Sequence, residues 1–280
     1  MDLTAEALRR LASNAVDVVT EDGTYHRALA DDEGTSLVAV RAHDDARIEV
    51  RASGRNAERW WPVVARMLGT QADLTPWRKR SARVPWLARI AKALDGVKPP
   101  RYATAWEACC HAVVFQQISI HAAAAIMRRV VECLGKPVEG AGVVCVPFPG
   151  PQRLLAEPES DLRACGLSAN KVAHLRSVAT AALDGSIDEA ALERLPTPEA
   201  AEALTRIRGL GPWSASVVML RGFGRLDVFP MRDSGVARTV KLLSGDDSLD
   251  LDAVLDVLGP VRGMLYYHLL LGRLRNLTPE

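Results

Sequence analysis

The pattern of apolar and polar positions changes character about a third of the way along the chain. Before that point apolar residues alternate. In "SLVAVRAH" and "ARIEVRAS", Val38, Val40, Ile48 and Val50 recur at every second position, as half-buried antiparallel strands require. Together with "GTYHRAL" they make short β-rich runs separated by "DDEG" and "DD" turn signals. A short helix over 3–11 precedes these runs and a helix over 60–68 follows them. The stretch "TPWRKRSARVPW", bounded by Pro76 and Pro85, then reads as an exposed basic connection. Its Arg78, Lys79, Arg80 and Arg83 fit either a solvated loop or a contact for nucleic acid.

From about Pro99 the spacing is helical. Ile120, Ala123, Ala124, Met127, Val131 and Leu134 fall on one face, and Gly135 closes the run. Val172, Leu175, Val178 and Leu183 repeat the pattern, with Ser168 as N-cap and Gly185 as the stop. Thr197 followed by Pro198 reads as a cap and a first-turn proline opening a helix to 207. Further helices are predicted over 212–221, 234–243, 252–258 and 261–273. The expected fold is mainly α with a small α+β N-terminal domain. Residues 1–98 carry the antiparallel sheet, its helices and the basic connector, and residues 99–280 form a helical bundle without internal repeats.

Composition adds exclusions. The chain has 280 residues, 48% hydrophobic and 25% charged, as ordinary globular proteins do. No apolar run approaches the ~18 residues that a membrane span needs. The amphipathic, acid-bearing start is unlike a signal or transit peptide, so a cytoplasmic, nucleoid-associated location is expected. The five cysteines (Cys109, Cys110, Cys133, Cys145, Cys165) are odd in number and contain no C-x-x-C pair. That argues against a zinc ribbon, an iron–sulfur cluster or a disulfide framework. A net charge of +1 does not exclude DNA, provided the basic residues gather on one face.

The most informative stretch is "RGLGPWSASVV", residues 208–218, a Gly-x-Gly corner between two helical runs. Gly209 and Gly211 can both take positive φ without steric cost, and Pro212 gives up an amide that a first turn leaves unpaired anyway. The remaining free N–H groups at the start of the second helix would suit a phosphate. An ordinary helical hairpin is the alternative.

"LTRIRGLGPWSASVVMLRGFGRLDVFPMRDSGVARTV" resembles the helix–hairpin–helix and following catalytic segment of the helix–hairpin–helix (HhH-GPD) DNA glycosylase superfamily. "FQQIS" (115–119) and "LRACGLSANKVAHLRSVA" (162–179) are similar to two further blocks of that superfamily, in the same order. The β-rich start is similar to the bacterial 3-methyladenine DNA glycosylase II branch. The resemblance implies a monomeric enzyme of base excision repair that acts on double-stranded DNA containing a damaged base. It implies that Gly209, Gly211, Trp213 and Ser214 grip a phosphate through main-chain amides, with the Ser214 hydroxyl as an extra donor. It implies no obligatory cofactor, but a structural sodium, potassium or magnesium ion on the carbonyls of Ile207 and Gly209. Arg208 replaces the proline more usual there and adds a possible phosphate contact.

Asp233, taken alone, is a helix N-cap; the resemblance makes it the catalytic carboxylate in preference to Asp227. Trp213 stands where strand-cleaving members carry a Schiff-base lysine, so the resemblance implies glycosylase activity without lyase activity. Trp213 also fits a core position or the wall of a base pocket. Gln117 matches the wedge that fills the gap left by an extruded nucleotide, or else caps the helix after it. The aromatic pocket positions of the alkylation branch are replaced by Val217 and Val261, which leaves Trp106, Trp213, Tyr266 and Tyr267 as candidate stackers. His121, His174 and His268 read as structural or surface residues. Two other readings keep the fold: excision of deaminated or oxidised bases, and a DNA-binding module without turnover.

Overall fold

The computed structural model describes residues 1–11, 14–31, 33–44, 47–54, 57–231 and 233–279. Helix α1 (Asp2–Arg9) leads into an antiparallel sheet of β1 (Asp17–Val19), β2 (Tyr25–Asp31), β3 (Gly34–Ala42) and β4 (Ile48–Ala52), paired in chain order. Val38 and Val40 are buried on β3 against Leu8, Trp60 and Val64, while Ile48 and Val50 on the edge strand are half-buried. Helix α2 (Trp61–Met67) closes this layer. A second hairpin, β5 (Val138–Gly140) and β6 (Val143–Cys145), has no counterpart in the alternation read from the sequence. It packs Val143 and Cys145 on the outer face of β2 and β3, against Ala28 and Leu37. With both faces covered, β2 is buried without alternation from Tyr25 to Leu29.

Arg27 lies inside that covered strand. Its guanidinium pairs with Asp17 at 2.7 Å and with Glu107 at 2.5 Å, and the Tyr25 hydroxyl donates to Asp17 at 2.5 Å. Glu107 belongs to α5 (Ala105–Val114), so this buried network ties the sheet to the helix that leads into the turn at residues 115–119. Removing one partner of such a pair leaves an uncompensated buried charge, a loss of ~3–5 kcal/mol.

The basic connector is not a connector. It folds into α3 (Thr75–Ser81) and α4 (Pro85–Ala93), with Pro76 and Pro85 in first turns, where proline starts a helix without breaking one. Trp77 is 3% exposed, and Leu87, Ile90, Leu94 and Val97 pack with the C-terminal helices. Structurally, residues 74–97 therefore belong with the helical body. Arg78 pairs with Asp95, and Arg80 donates to the Val257 carbonyl.

The remaining helices form two packed groups. Helix α5, α6 (Ile120–Leu134), α7 (Pro151–Ala156), α8 (Glu159–Ala164), α9 (Ala169–Leu183), α10 (Glu189–Arg194), α11 (Thr197–Thr205) and α12 (Pro212–Arg221) share one core. Helices α13 (Ser234–Ser244), α14 (Leu251–Leu258) and α15 (Met264–Leu274) share a second core with α3 and α4. The side chains of Thr104, Ser119 and Ser168 accept from the amides three residues on, and each such cap is worth about 1 kcal/mol. Thr197 is not a cap: α11 begins at Thr197 itself after Pro196, and it ends at Thr205, two residues short of the expected stop. The five cysteines are free thiols, four of them buried. Among the described residues no helix is long and apolar enough to cross a membrane.

Candidate active site

Helices α11 and α12 meet at a tight corner. Gly209 has φ 101°, and a Cβ there would stand 2.6 Å from the His174 Cβ on α9. Only glycine satisfies both conditions. Gly211 differs from the expectation that both glycines would be left-handed. Its φ is −85°, ordinary extended backbone, and a Cβ there would meet nothing within 4 Å. Gly211 serves as the N-cap residue of α12 with no side-chain cap, and Pro212 occupies the first turn. Among the described residues, the N–H groups of Gly209, Gly211, Trp213 and Ser214 reach no acceptor. Gly211, Pro212 and Arg208 are exposed. Unpaired donors at a helix N-terminus, with the dipole's positive end behind them, are an arrangement suited to an anion.

A side chain that sequence reasoning passed over holds this corner in place. The Gln116 amide donates to the Gly209 carbonyl at 2.8 Å and to the Ser214 Oγ at 2.7 Å. Ser214 is 1% exposed, so its hydroxyl is part of the internal support and is not the additional phosphate donor expected of it. Lys171 on α9 in turn donates to the carbonyls of Val114 and Gln116, at 2.6 and 3.0 Å. Burial lowers its pKa from the ordinary lysine range. The turn after α5 is thus clamped on both sides. At its tip Gln117 is exposed with φ 57°, a strained conformation for a residue with a side chain, and Ile118 beside it is exposed as well. The cap of α6 is Ser119, accepting from Ala122 at 3.2 Å, so the helix does not use Gln117 as its cap.

Asp233 stands at the start of α13, half-buried. One carboxylate oxygen, Oδ1, accepts from the amides of Gly235 and Val236 at 2.8 and 3.0 Å. The other, Oδ2, accepts from the Trp213 indole N–H at 3.0 Å. The capping and functional readings of Asp233 are therefore not alternatives. The cap fixes one oxygen, and the indole, on the helix that begins at the hairpin, orients the other. A carboxylate held by three N–H donors, one of them from the first turn of the helix that begins at the corner, is a preorganised negative charge. Asp227, the competing acid, is an exposed turn residue.

Residues 110–253 match the model of the HhH-GPD superfamily of base excision DNA repair proteins. The chain belongs to that superfamily. It is 25% identical over 230 residues to the DNA-3-methyladenine glycosylase of Bacillus subtilis, covering 80% of this chain and 76% of the relative. It is 31% identical over 146 residues to DNA-3-methyladenine glycosylase 2 of Escherichia coli, about half of each chain. In structure it is similar to a 3-methyladenine DNA glycosylase from Archaeoglobus fulgidus, with TM-score 0.80 and 24% identity over 97% of this chain and 94% of that one. That last likeness carries the fold.

The HhH-GPD chain places the other candidates as follows. Trp106 is buried in the first core, and its indole donates to the Pro149 carbonyl at 2.8 Å. Tyr267 is fully buried, its hydroxyl donating to the Pro100 carbonyl at 3.0 Å. Val217 and Val261 are buried core positions in the first and second groups respectively. Tyr266 is half-buried, and its hydroxyl accepts from Arg10 at 3.3 Å. His121 is exposed and His174 backs the hairpin. His268 is buried, accepting at Nε2 from the Trp77 indole at 3.1 Å, with Nδ1 on the Met264 carbonyl at 2.9 Å.

Proposed function

We propose that this protein is a monofunctional DNA glycosylase that hydrolyses the N-glycosidic bond of alkylated, cationic purines in double-stranded DNA and leaves an abasic site. The observation that carries the reading is the Asp233 carboxylate, held by two backbone amides and the Trp213 indole against the hairpin. The names of the Bacillus and Escherichia relatives supply the substrate class.

The chemistry follows from charge. An alkylated purine already carries positive charge and departs without a strong acid, and its departure leaves an oxocarbenium-like sugar. Oδ1 is taken up by the cap, so the lone pair of Oδ2 that the Trp213 indole leaves open serves the developing cation or orients the attacking water. The amides of Gly209, Gly211, Trp213 and Ser214 hold a phosphate of the lesion strand, and Arg208 adds a side-chain contact. Gln117 at the tip of its turn fills the space vacated by the extruded nucleotide. Trp213 leaves no amine at the position of a Schiff-base lysine, so the strand stays intact.

The carbonyls of Ile207 and Gly209 are hard oxygen donors of the kind sodium, potassium or magnesium takes. Each already accepts one hydrogen bond, from Leu210 and Gln116, and keeps a second lone pair. Such an ion would link the corner electrostatically to the bound phosphate. The enzyme acts as a monomer on double-stranded DNA.

The test is release of free base from duplexes with defined lesions. Asp233→Asn keeps an oxygen for the cap and removes the charge; its amide nitrogen cannot accept from the Trp213 indole, so the melting temperature is measured beside base release to separate chemistry from folding. Release by the variant is expected to fall by on the order of a hundredfold or more. Equal release by both proteins overturns the catalytic assignment, and nicked strands or an adduct trapped by borohydride overturn the monofunctional one.

A further inference from the structure

The exposed turn at residues 115–119 and the hairpin corner are joined by one half-buried side chain. The Gln116 carboxamide donates to the Gly209 carbonyl at 2.8 Å and to the Ser214 Oγ at 2.7 Å, which uses both of its hydrogens. A carbonyl oxygen can only accept, so the Gly209 contact fixes which way round the carboxamide sits. The backbone is fixed as well. The Gln116 carbonyl accepts from Lys171 Nζ at 3.0 Å, and the same ammonium reaches the Val114 carbonyl at 2.6 Å. Gln116 is therefore held through its main chain by α9 and through its side chain by the corner that opens α12.

Gln117 comes next and inherits this placement. Its φ of 57° turns the chain, so that Gln116 points into the fold while Gln117 and Ile118 stand exposed. Among the described residues nothing bonds the Gln117 side chain itself. The position of the tip thus comes from its neighbour, and that neighbour is bonded to the very loop whose amides are free.

We propose that Gln116 is a positioning residue for base extrusion: it sets the distance between the wedge at Gln117 and the phosphate grip of the hairpin, so that a phosphate held at the corner brings the wedge into register with the vacated gap. Gln116 touches neither the base nor the reacting sugar. A tip displaced by about an ångström meets a stacked neighbour instead of the gap, and small misplacements of this kind are costly. The inference rests on the reading of Gln117 and the hairpin as DNA contacts, but its test needs no turnover.

The probes are a duplex with one tetrahydrofuran abasic site, which a glycosylase cannot cleave, and the same duplex intact. The ratio of their dissociation constants cancels the phosphate contacts common to both and reports how well the gap is filled. A fraction of misfolded protein scales both constants alike and drops out of the ratio. The wild type is expected to prefer the abasic duplex. Gln116→Met keeps the length of the side chain, loses both hydrogen bonds, and should lower that preference about tenfold, the scale of two neutral hydrogen bonds. Ser214→Ala removes one acceptor only and should lower it about threefold, a milder change that still decides the matter where methionine is not tolerated. Gln117→Ala then identifies the route. It should cost its full effect with Gln116 in place and almost nothing further beside Gln116→Met, because the wedge is already out of register. Losses that multiply, an unchanged preference in Gln116→Met, or no preference in the wild type overturn the proposal. A loss shared equally by the intact duplex marks a merely structural brace and overturns it too. Should base release prove indifferent to Asp233→Asn while these ratios shift as expected, the catalytic reading fails and the role of Gln116 stands.

Discussion

At the scale of single residues, the carboxylate of Asp233 and the indole of Trp213 behave as one unit. The indole N–H is the only side-chain donor to Asp233 among the described residues, and it meets the oxygen that the helix cap leaves free. Trp213→Phe keeps an aromatic ring in the same place and removes this donor. A hydrogen bond to a charged group is worth ~1.5–3 kcal/mol, so kcat for base release is expected to fall on the order of tenfold or more. The melting temperature should barely move, because the ring still packs on the first core. A variant with wild-type kcat would show that the cap alone fixes the carboxylate. The sequence made each partner visible on its own: Asp233 by its place before a helix, Trp213 by its place after the Gly-x-Gly corner. Their contact was not legible, because it joins residues twenty positions apart through a loop with no periodic signal. Gln116 escaped notice for a related reason. Its role lies in reaching the Gly209 carbonyl and the Ser214 hydroxyl across the fold, and nothing in a glutamine beside Gln117 announces that reach.

At the scale of elements, the hairpin makes a sharp contrast between its two glycines. Gly209 is left-handed and pressed against His174, while Gly211 is extended with open space where a side chain would go. Gly209→Ala is therefore expected to destabilise the corner by ~2 kcal/mol or more, the sum of backbone strain and overpacking. It should weaken binding to duplex DNA accordingly. Gly211→Ala is expected to leave the stability within about 0.5 kcal/mol of wild type, the range of an uncrowded surface change. Thermal unfolding and a DNA titration on both variants decide the matter, and equal damage by the two would contradict the geometry. Sequence spacing found both helices of this hairpin and the start of α12, since Pro212 and the apolar repeat are local signals. It did not separate the glycines, because backbone sign at Gly209 is set by α9, which is distant in sequence. The same limit explains the misread connector. Pro76 and Pro85 looked like boundaries of a loop, yet each opens a helix whose buried face is created only by docking on α13–α15. The β5–β6 hairpin was missed because its three-residue strands are too short to show a period.

At the scale of the whole molecule, the second helical core packs α3 against α15 around a buried histidine, and that contact titrates in the direction of acid. His268 on α15 is buried between the Trp77 indole, which donates to its Nε2, and the Met264 carbonyl, which accepts from its Nδ1–H. Both ring nitrogens are thus committed to the neutral form. Burial pushes its pKa down from 6.5 to about 4, against weaker upward pulls from the Met264 carbonyl and the Asp95 carboxylate. The unfolded chain therefore binds the proton more readily than the folded one. The stability that neutral His268 confers is complete above pH 6.5, declines as pH falls, and is gone near pH 4. Over that window the loss is on the order of 3 kcal/mol. His111, stacked on Tyr102 and held neutral by burial and by Arg10, Arg221 and Arg27, acts in the same direction. Urea unfolding at pH 7 and pH 4.5 should show the wild type losing stability steeply, and His268→Gln, which offers an acceptor to Trp77 without titrating, losing clearly less. Parallel losses in the two proteins would mean that the joint between Trp77 and α15 opens to water in the native state, and that the buried seam is looser than its hydrogen bonds imply.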